Sequence, residues 1–253
     1  MKEKIYTIPV TDAFREDCEC PMCILEKKLE NEYIEYFLGP SLMEPDCRIE
    51  TNNKGFCRRH FEILYNSQNN RLGLGLIVDT HLQEQNKKLK KACSTEKNSG
   101  TSFVKGLTSM ITERKSHNKE FVDAVIEVLE NLEESCAVCS KLDYTMDRYI
   151  EVITYLWFKE DEFKKLFNSK KGFCLKHLKQ LLEGAKKHLS PAHLSIFATN
   201  LLQIQVANMD RLQEEVHWST QKFDYRNNDK PWGNSKDALP RSIQKIVGYC
   251  NLK

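Results

Sequence analysis

Two short cysteine motifs each occur twice in this chain of 253 residues, and both have spacings suited to binding metal. The first motif is CxxC, at residues 20–23 and 136–139. The second is GFCxxH, at residues 55–60 and 172–177. The second and third cysteines are 34 positions apart in the first set and 35 in the second. Because a repeat of this length is not expected by chance, it predicts two copies of one unit.

The side chains in these motifs are the donors that zinc prefers, since zinc takes four ligands in a tetrahedron, often thiolates and imidazoles. CxxC brings two sulfurs to one side of a turn. A cysteine and a histidine three residues apart share one face of a helix, and the preceding glycine permits the turn that starts that helix. We therefore predict one Cys3His site in each copy. The predicted ligands are Cys20, Cys23, Cys57 and His60 in the first copy, and Cys136, Cys139, Cys174 and His177 in the second.

The predicted cofactor is zinc, two ions per chain, and an iron–sulfur cluster is the competing interpretation because thiolates also bind iron. Haem attachment does not fit, because Ile24 and Ser140 follow the two CxxC motifs where it requires histidine. Four protein ligands leave no open position for a water molecule. The ligand count therefore favours a structural metal over a hydrolytic one.

Apolar residues at helical spacing follow each motif and predict an all-α fold of two pseudo-repeated helical modules. A helix should fill the interval between CxxC and GFCxxH, so that the metal ties two helix starts together. Longer helices are predicted near 72–92, 119–134 and from Pro191 onward. The predicted domains are a first metal-binding module at 1–92, a linker at 93–117, a second module at 118–217, and an aromatic-rich C-terminal segment at 218–253.

The composition is that of an ordinary soluble protein, with 40% apolar and 29% charged residues and a formal net charge of +2. This weak basic balance argues against nucleic acid as a partner. No apolar run approaches the ~20 residues that span a bilayer, and the N-terminus lacks the apolar core of a signal peptide. We expect a cytoplasmic protein without a membrane partner. Its ten cysteines should be reduced there, and their clustered spacing favours metal binding over disulfides.

Common catalytic motifs are absent from the sequence, including HExxH, the GxxxxGK[ST] phosphate loop and GxSxG. His81, on a predicted helix, is a candidate acid–base or metal residue, although a packing role is the simpler interpretation. Cys18 lies beside the first CxxC and could be a redox partner or an incidental thiol. Cys47 lies in the first interval and has no counterpart in the second copy.

The C-terminal segment is rich in aromatic, arginine and turn residues. One interpretation is a tail that docks on the helical body with Phe223, Tyr225 and Trp232 as anchors. The other is a recognition surface, because Trp, Tyr and Arg dominate binding hot spots.

The paired CxxC and GFCxxH elements, the helix at Leu72–Leu82 and the tail at Lys222–Leu239 together resemble a known family. It is the bacterial family catalogued as domain of unknown function 6062, and the resemblance covers nearly the whole chain. It implies a cytoplasmic bacterial protein with paired metal-binding motifs and supplies no reaction.

The leading functional hypothesis is a non-enzymatic, zinc-stapled helical protein with a protein partner. The alternatives are a thiol redox switch or metal sensor, which depends on Cys18, and an enzyme with a site between the two modules. The sequence does not determine the oligomeric state.

Overall fold

The computed structural model describes the backbone of residues 4–94 and 110–252, and the side chains of residues 5–92 and 122–252. Within these backbone ranges the chain forms eleven α-helices and no β-strand, which confirms the all-α class. None of the helices described meets the length and hydropathy of a bilayer-spanning segment. The helices are α1 (Lys4–Arg15), α2 (Pro21–Leu38), α3 (Pro45–Lys54), α4 (Arg58–Ser67), α5 (Arg71–Ser94), α6 (Met110–Glu133), α7 (Ala137–Lys159), α8 (Asp161–Asn168), α9 (Leu175–His188), α10 (Pro191–Gln221) and α11 (Ala238–Val247).

The apolar stripes that follow the two CxxC motifs are buried helix faces. Leu25 and Phe37 are buried on α2, and Met146 and Ile153 are buried on α7. Each helix begins directly after the first cysteine of its CxxC motif. Burial of these stripes therefore fixes where the sulfurs lie, because the cysteines belong to the same first turn.

Helices α1, α3 and α8 are not among the helices predicted from the sequence. Helix α3 begins with Pro45, which suits a first helical turn, and α8 has Asp161 and Glu162 in its first turn, where acidic side chains are favoured. Each interval between CxxC and GFCxxH therefore contains a long helix followed by a shorter one, rather than a single helix.

The chain divides into two compact units. Unit 1 consists of Met1–Leu29 and Asp143–Lys253, and unit 2 consists of Glu30–Leu142. Each unit contains one CxxC and one GFCxxH motif, taken from different sequence copies. The predicted domain boundaries, which follow the sequence repeat, stay a prediction, and most of the predicted linker at 93–117 lies outside the described residues.

Unit 1 has an aromatic core beside one of its cysteine motifs. The ring of Phe14, on α1, lies 5.2 Å from that of Phe163, 5.6 Å from that of Phe167 and 6.2 Å from that of Phe173. These centroid distances are typical of favourable aromatic pairs. Because Phe173 belongs to the GFCxxH motif, the packing of the core positions Cys174.

Unit 2 uses its GFC phenylalanine in the same way. Phe56 makes edge-to-face contacts with Phe37 at 5.2 Å and with Phe61 at 5.4 Å. Phe56 and Phe173 are both buried. In both copies the phenylalanine directly before the motif's cysteine is therefore a core residue that fixes the position of the turn.

The C-terminal segment packs within unit 1, but the prediction of aromatic anchors is wrong for two of the three residues. Phe223 is 89% exposed and Tyr225 is 81% exposed, whereas Trp232 is 40% exposed. Helix α11 contacts α9 and α10 and holds the end of the segment. The two most exposed aromatic rings therefore remain available on the surface of unit 1.

A buried lysine explains why these rings point outward. The Lys222 ammonium donates hydrogen bonds to the carbonyl oxygens of Asn227, Asn228 and Lys230, at 2.6, 2.9 and 2.7 Å. A buried ammonium must satisfy all three of its donors. The loop consequently wraps around Lys222, and its neighbour Phe223 is left on the outside.

Candidate metal centres

Within the part of the chain that the structure describes, the eight predicted ligands come together as two groups of four. The donor atoms of each group all lie within 4.8 Å of one another, so each group could hold one metal ion. Site 1, in unit 1, consists of Cys20, Cys23, Cys174 and His177, and site 2, in unit 2, consists of Cys57, His60, Cys136 and Cys139.

The grouping corrects the expectation that each copy assembles its own four ligands. Each site instead combines the CxxC of one copy with the CxxH of the other. Helix lengths give the physical reason. The 18 residues of α2 extend for about 27 Å and the 10 residues of α3 for about 15 Å, so even an α3 that ran straight back would not bring the CxxH motif to the start of α2. In the other interval α7 has 23 residues and α8 only 8, so the same mismatch in helix length applies.

The CxxH half of each site is the first turn of a helix. Cys57 caps α4 and Cys174 caps α9, and their sulfurs lie 3.2 and 3.1 Å from Nδ1 of His60 and His177. The Cys174 sulfur also accepts a hydrogen bond from the His177 backbone N–H. Thiolates are stabilised at helix N-termini by such unpaired N–H groups.

The CxxC half is built in the same way at the start of α2 and of α7. In site 1, the backbone N–H of Cys23 donates to the carbonyl oxygen of Cys20 at 3.1 Å. In site 2, the N–H of Cys139 donates to the Cys136 sulfur at 3.5 Å. Both turns therefore direct two sulfurs to one side, as the sequence predicts.

The separations between donor atoms fit a single tetrahedral ion. A tetrahedron with metal–sulfur bonds of about 2.3 Å and metal–nitrogen bonds of about 2.05 Å places its donors about 3.5–3.8 Å apart. In site 1, the Cys20 and Cys23 sulfurs lie 3.5 and 3.3 Å from the His177 Nδ1, and the Cys23 and Cys174 sulfurs are 3.7 Å apart.

Site 2 has nearly the same dimensions. The Cys136 and Cys139 sulfurs lie 3.3 and 3.4 Å from the His60 Nδ1, and the Cys57 and Cys139 sulfurs are 3.9 Å apart. Both sites therefore need little rearrangement to coordinate one ion.

A carboxylate on α2, buried at Glu30 and half-buried at Glu26, orients each ligand histidine, and neither residue is among the sequence predictions. Glu30 lies 3.3 Å from Nε2 of His60, and Glu26 lies 3.4 Å from Nε2 of His177. The basic residue before each histidine, Arg59 or Lys176, pairs with the same carboxylate. This arrangement leaves Nδ1 facing the sulfurs, as metal-bound histidines commonly require. The sequence signal for these two carboxylates is their spacing of four residues, one helical turn, on α2.

We expect Glu30→Gln and Glu26→Gln each to weaken metal binding at their own site by about 10- to 100-fold, because outer-shell partners contribute that much to metal affinity. Competition with a chromophoric chelator measures the effect. The matched control is Glu35→Gln, an exposed position on the same helix. Equal affinities for all four proteins would mean that these carboxylates do not orient the histidines.

When no metal is bound, each group favours a protonated histidine next to an ionised cysteine. Burial acts to lower the pKa of His60, but its hydrogen bonds to Cys136 and Glu30 outweigh this and raise the pKa to about 10. Burial is likewise outweighed at His177, whose pKa is raised to about 11 by Cys174 and other partners. A bound metal would displace these protons, because its ligands are thiolates and neutral imidazole.

The glycine before each GFC turn is required by a close neighbour. Gly55 has φ 57° and ψ −150°, and a Cβ atom there would lie 2.4 Å from Nε2 of His81. Gly172 has φ 82°, and its Cβ would lie 2.9 Å from Oε1 of Gln205. Gln205 also bonds both backbone groups of Phe173, at 2.8 and 2.9 Å.

His81 therefore packs over a ligand turn and is not among the grouped metal donors. It is buried, and its Nδ1 lies 3.0 Å from the carbonyl oxygen of Asn52. Cys18 and Cys47 are also outside both groups, and Cys47 is a core residue of α3. The simpler interpretation of His81, a packing role, fits the structure.

We expect Gly55→Ala to destabilise unit 2 by about 3 kcal/mol or more, because it combines a strained backbone with a collision against a ring. Urea unfolding, followed together with metal content, measures this. Gly75→Ala is the control, since a Cβ there meets nothing within 4 Å and alanine favours a helix interior. Wild-type stability for Gly55→Ala would contradict the role assigned to this turn.

The fold and the two sites define an all-α protein with two Cys3His groups, each able to hold a metal ion. A family model described as a family of unknown function (DUF6062) matches residues 1–253. The chain therefore belongs to that family, as its motifs indicate. Neither a comparison with curated proteins nor one with solved structures finds a match.

Proposed function

We propose that each site binds one zinc ion and that both ions are structural. The observation that carries this proposal is the complete set of four donors in each group. Zinc in structural sites is almost always tetrahedral with thiolate and imidazole ligands, whereas catalytic zinc keeps a position for water. The oriented histidines further support a permanent, saturated site.

The donor separations favour zinc over an iron–sulfur cluster. A cluster distributes its four cysteine or histidine ligands over two or more irons. Here the four donor atoms of each group lie within 4.8 Å of one another and surround one point. The test is elemental analysis of natively purified protein with a visible spectrum. Two zinc ions per chain and no colour would support the proposal, and iron with a brown chromophore would overturn it.

The function that these sites support best is a non-enzymatic protein that binds another protein. We place it in the bacterial cytoplasm, where the thiols that its sites require stay reduced. Saturated metal sites stabilise a fold without offering a reaction centre. Metal-dependent turnover of a substrate, lost on mutation of a ligand in a folded protein, would contradict this function.

The loop at 222–230 supports a protein partner. It exposes Phe223 and Tyr225, while the caged Lys222 ammonium holds the backbone in one shape. Rigid, exposed aromatic side chains lose little entropy on binding and are enriched in binding hot spots. Asp224 and Arg226 pair with each other, and the loop's three basic and two acidic residues leave a formal charge of +1, which is too weak a basic patch to favour nucleic acid.

A photo-reactive phenylalanine analogue in place of Phe223 tests this surface in cells. We expect one defined protein to be cross-linked, and Tyr225→Ala to weaken that product. The matched control places the same analogue at Leu202, an exposed apolar position on α10. No protein product at position 223, or products equal to those at the control position, would argue against the loop as the binding surface.

A thiol redox switch is the alternative function, and the position of Cys18 is less favourable to it than the sequence suggests. Burial raises the pKa of the Cys18 thiol, whereas redox sensors carry low-pKa, accessible cysteines. The alternative requires that mild peroxide release zinc and that a reductant restore it. Zinc retained under peroxide would exclude this function.

A further inference from the structure

Lys245 is a buried lysine on α11, only 1% exposed, and its ammonium is fully satisfied within unit 1. It donates to the carbonyl oxygen of Glu19 at 2.7 Å and to that of Lys171 at 2.5 Å, and it lies 3.2 Å from the Glu19 carboxylate. Three acceptors match the three donors of an ammonium group.

The two carbonyl groups belong to the two turns that carry the ligands of site 1. Glu19 immediately precedes Cys20, and Lys171 immediately precedes the turn that contains Cys174. Lys245 therefore ties the CxxC turn to the CxxH turn from outside both motifs.

At site 2 the corresponding turns bond each other directly. The Ser135 hydroxyl donates to the carbonyl oxygen of Lys54 at 2.7 Å, and the Ala137 N–H donates to that of Gly55 at 3.0 Å. Ser135 and Ala137 flank Cys136, just as Glu19 and Pro21 flank Cys20.

The site 1 residues at these two positions cannot make the same bonds. Proline has no N–H, so Pro21 cannot replace Ala137 as a donor. An ionised glutamate only accepts hydrogen bonds, so Glu19 cannot replace the Ser135 hydroxyl. Lys171 also pairs with Asp17 at 2.6 Å, but this contact is exposed, and such pairs contribute little.

The end of α11 also covers site 1. A Cβ atom built at Gly248, directly after α11, would lie 3.7 Å from the Cys174 sulfur. Arg241, one turn before Lys245, bonds the Glu19 carboxylate at 3.1 Å and that of Glu215 on α10 at 2.6 Å. Charged contacts therefore hold the inner face of α11 against the turn that begins the CxxC motif.

We propose that Lys245 is a positioning residue that holds the CxxC and CxxH turns of site 1 together. The C-terminal helix then controls metal retention at site 1 and not at site 2. This inference rests on the proposed metal binding. The two sites should therefore behave differently. The turns of site 2 are held together by their own hydrogen bonds, whereas the turns of site 1 are held together only while α11 is docked.

The test compares Lys245→Met, which keeps a long apolar side chain and removes the donors, with Ser135→Ala as the matched change at site 2. Zinc-loaded proteins are treated with a chelator and a cysteine alkylating reagent, and mass spectrometry gives the alkylation rate of each cysteine. For Lys245→Met we expect alkylation of Cys20, Cys23 and Cys174 to accelerate about 10- to 100-fold, with the site 2 cysteines unchanged. For Ser135→Ala we expect only the site 2 cysteines to react faster.

A measurement on the wild-type protein covers the case in which Lys245→Met does not fold. In low urea, hydrogen exchange of the α11 amides and alkylation of the site 1 cysteines should rise together, and alkylation of the site 2 cysteines should not follow them. Site 1 alkylation that is independent of α11 exchange would overturn the proposal.

The outcomes separate this inference from the proposed function. Wild-type protein without bound metal would overturn both. Two zinc ions per chain, with site 1 rates unchanged in Lys245→Met, would overturn the role of Lys245 alone. Equal acceleration at both sites would also overturn it, because it would show a general loss of stability.

Discussion

The double variant Cys20→Ser/Cys174→Ser is expected to retain one tightly bound zinc ion, and Cys20→Ser/Cys57→Ser to retain none. In the first, both substitutions fall in site 1 and site 2 keeps four ligands. In the second, each site loses one ligand and keeps three. Zinc needs its full tetrahedral set for tight structural binding. Zinc content after challenge with a chelator measures the difference.

The two variants form a matched pair, because each removes two cysteines and shares Cys20→Ser. If each sequence copy assembled its own site, the results would be reversed, and the variant Cys20→Ser/Cys57→Ser would retain one ion. Circular dichroism identifies any variant that loses its helices altogether. The comparison therefore tests the pairing of the motifs apart from metal binding itself.

Removal of zinc is expected to unfold at least one of the two units. Structural zinc contributes about 10–16 kcal/mol in small zinc-finger peptides, which is as large as the whole stability of a typical domain, about 5–15 kcal/mol. In each unit the metal would join segments far apart in the chain, such as Cys23 and Cys174 in unit 1. Helical circular dichroism and hydrogen exchange, with a zinc chelator and a reductant present, measure the loss.

Zinc added back should restore the helical signal, and a calcium-selective chelator serves as the control. An unchanged unfolding temperature in protein shown by elemental analysis to be free of zinc would contradict a structural role. The sites would then need another function, and the redox alternative would gain support.

The donor residues could be predicted from the sequence because their chemistry is local. A cysteine and a histidine three apart at a helix start, such as Cys57 and His60, face one side whatever the rest of the chain does. The helices α2 and α7 were predictable for a similar reason, since their apolar stripes are continuous.

The pairing of motifs was not predictable in this way, because it depends on distances along several helices. A single helix was expected between Cys23 and Cys57, whereas the structure has α2 followed by the shorter α3 in that interval. The Pro45 signal for α3 is visible in the sequence, but the direction of the helix depends on packing. The same limit applies to α8 in the other interval.

Glu30 and Lys245 show a second limit. Both are charged residues, and sequence patterns assign such residues to the surface. Each is buried because a specific partner lies opposite, His60 in one case and the backbone carbonyl groups of two ligand turns in the other. Only the assembled fold reveals these partners. Lys222 is likewise buried by specific backbone carbonyl groups, and its apolar neighbour Phe223 is exposed.

The crosswise grouping of ligands has a consequence for how such a chain can arise. A protein made of one copy would carry a CxxC and a CxxH that belong to different sites, and alone it would complete neither. Two identical chains would complete both sites by exchanging halves, as a symmetric homodimer with one ion at each of two equivalent positions. Gene duplication and fusion would then place both halves in one chain. After fusion the two positions could diverge, as Pro21 and Ala137 have done at one equivalent place.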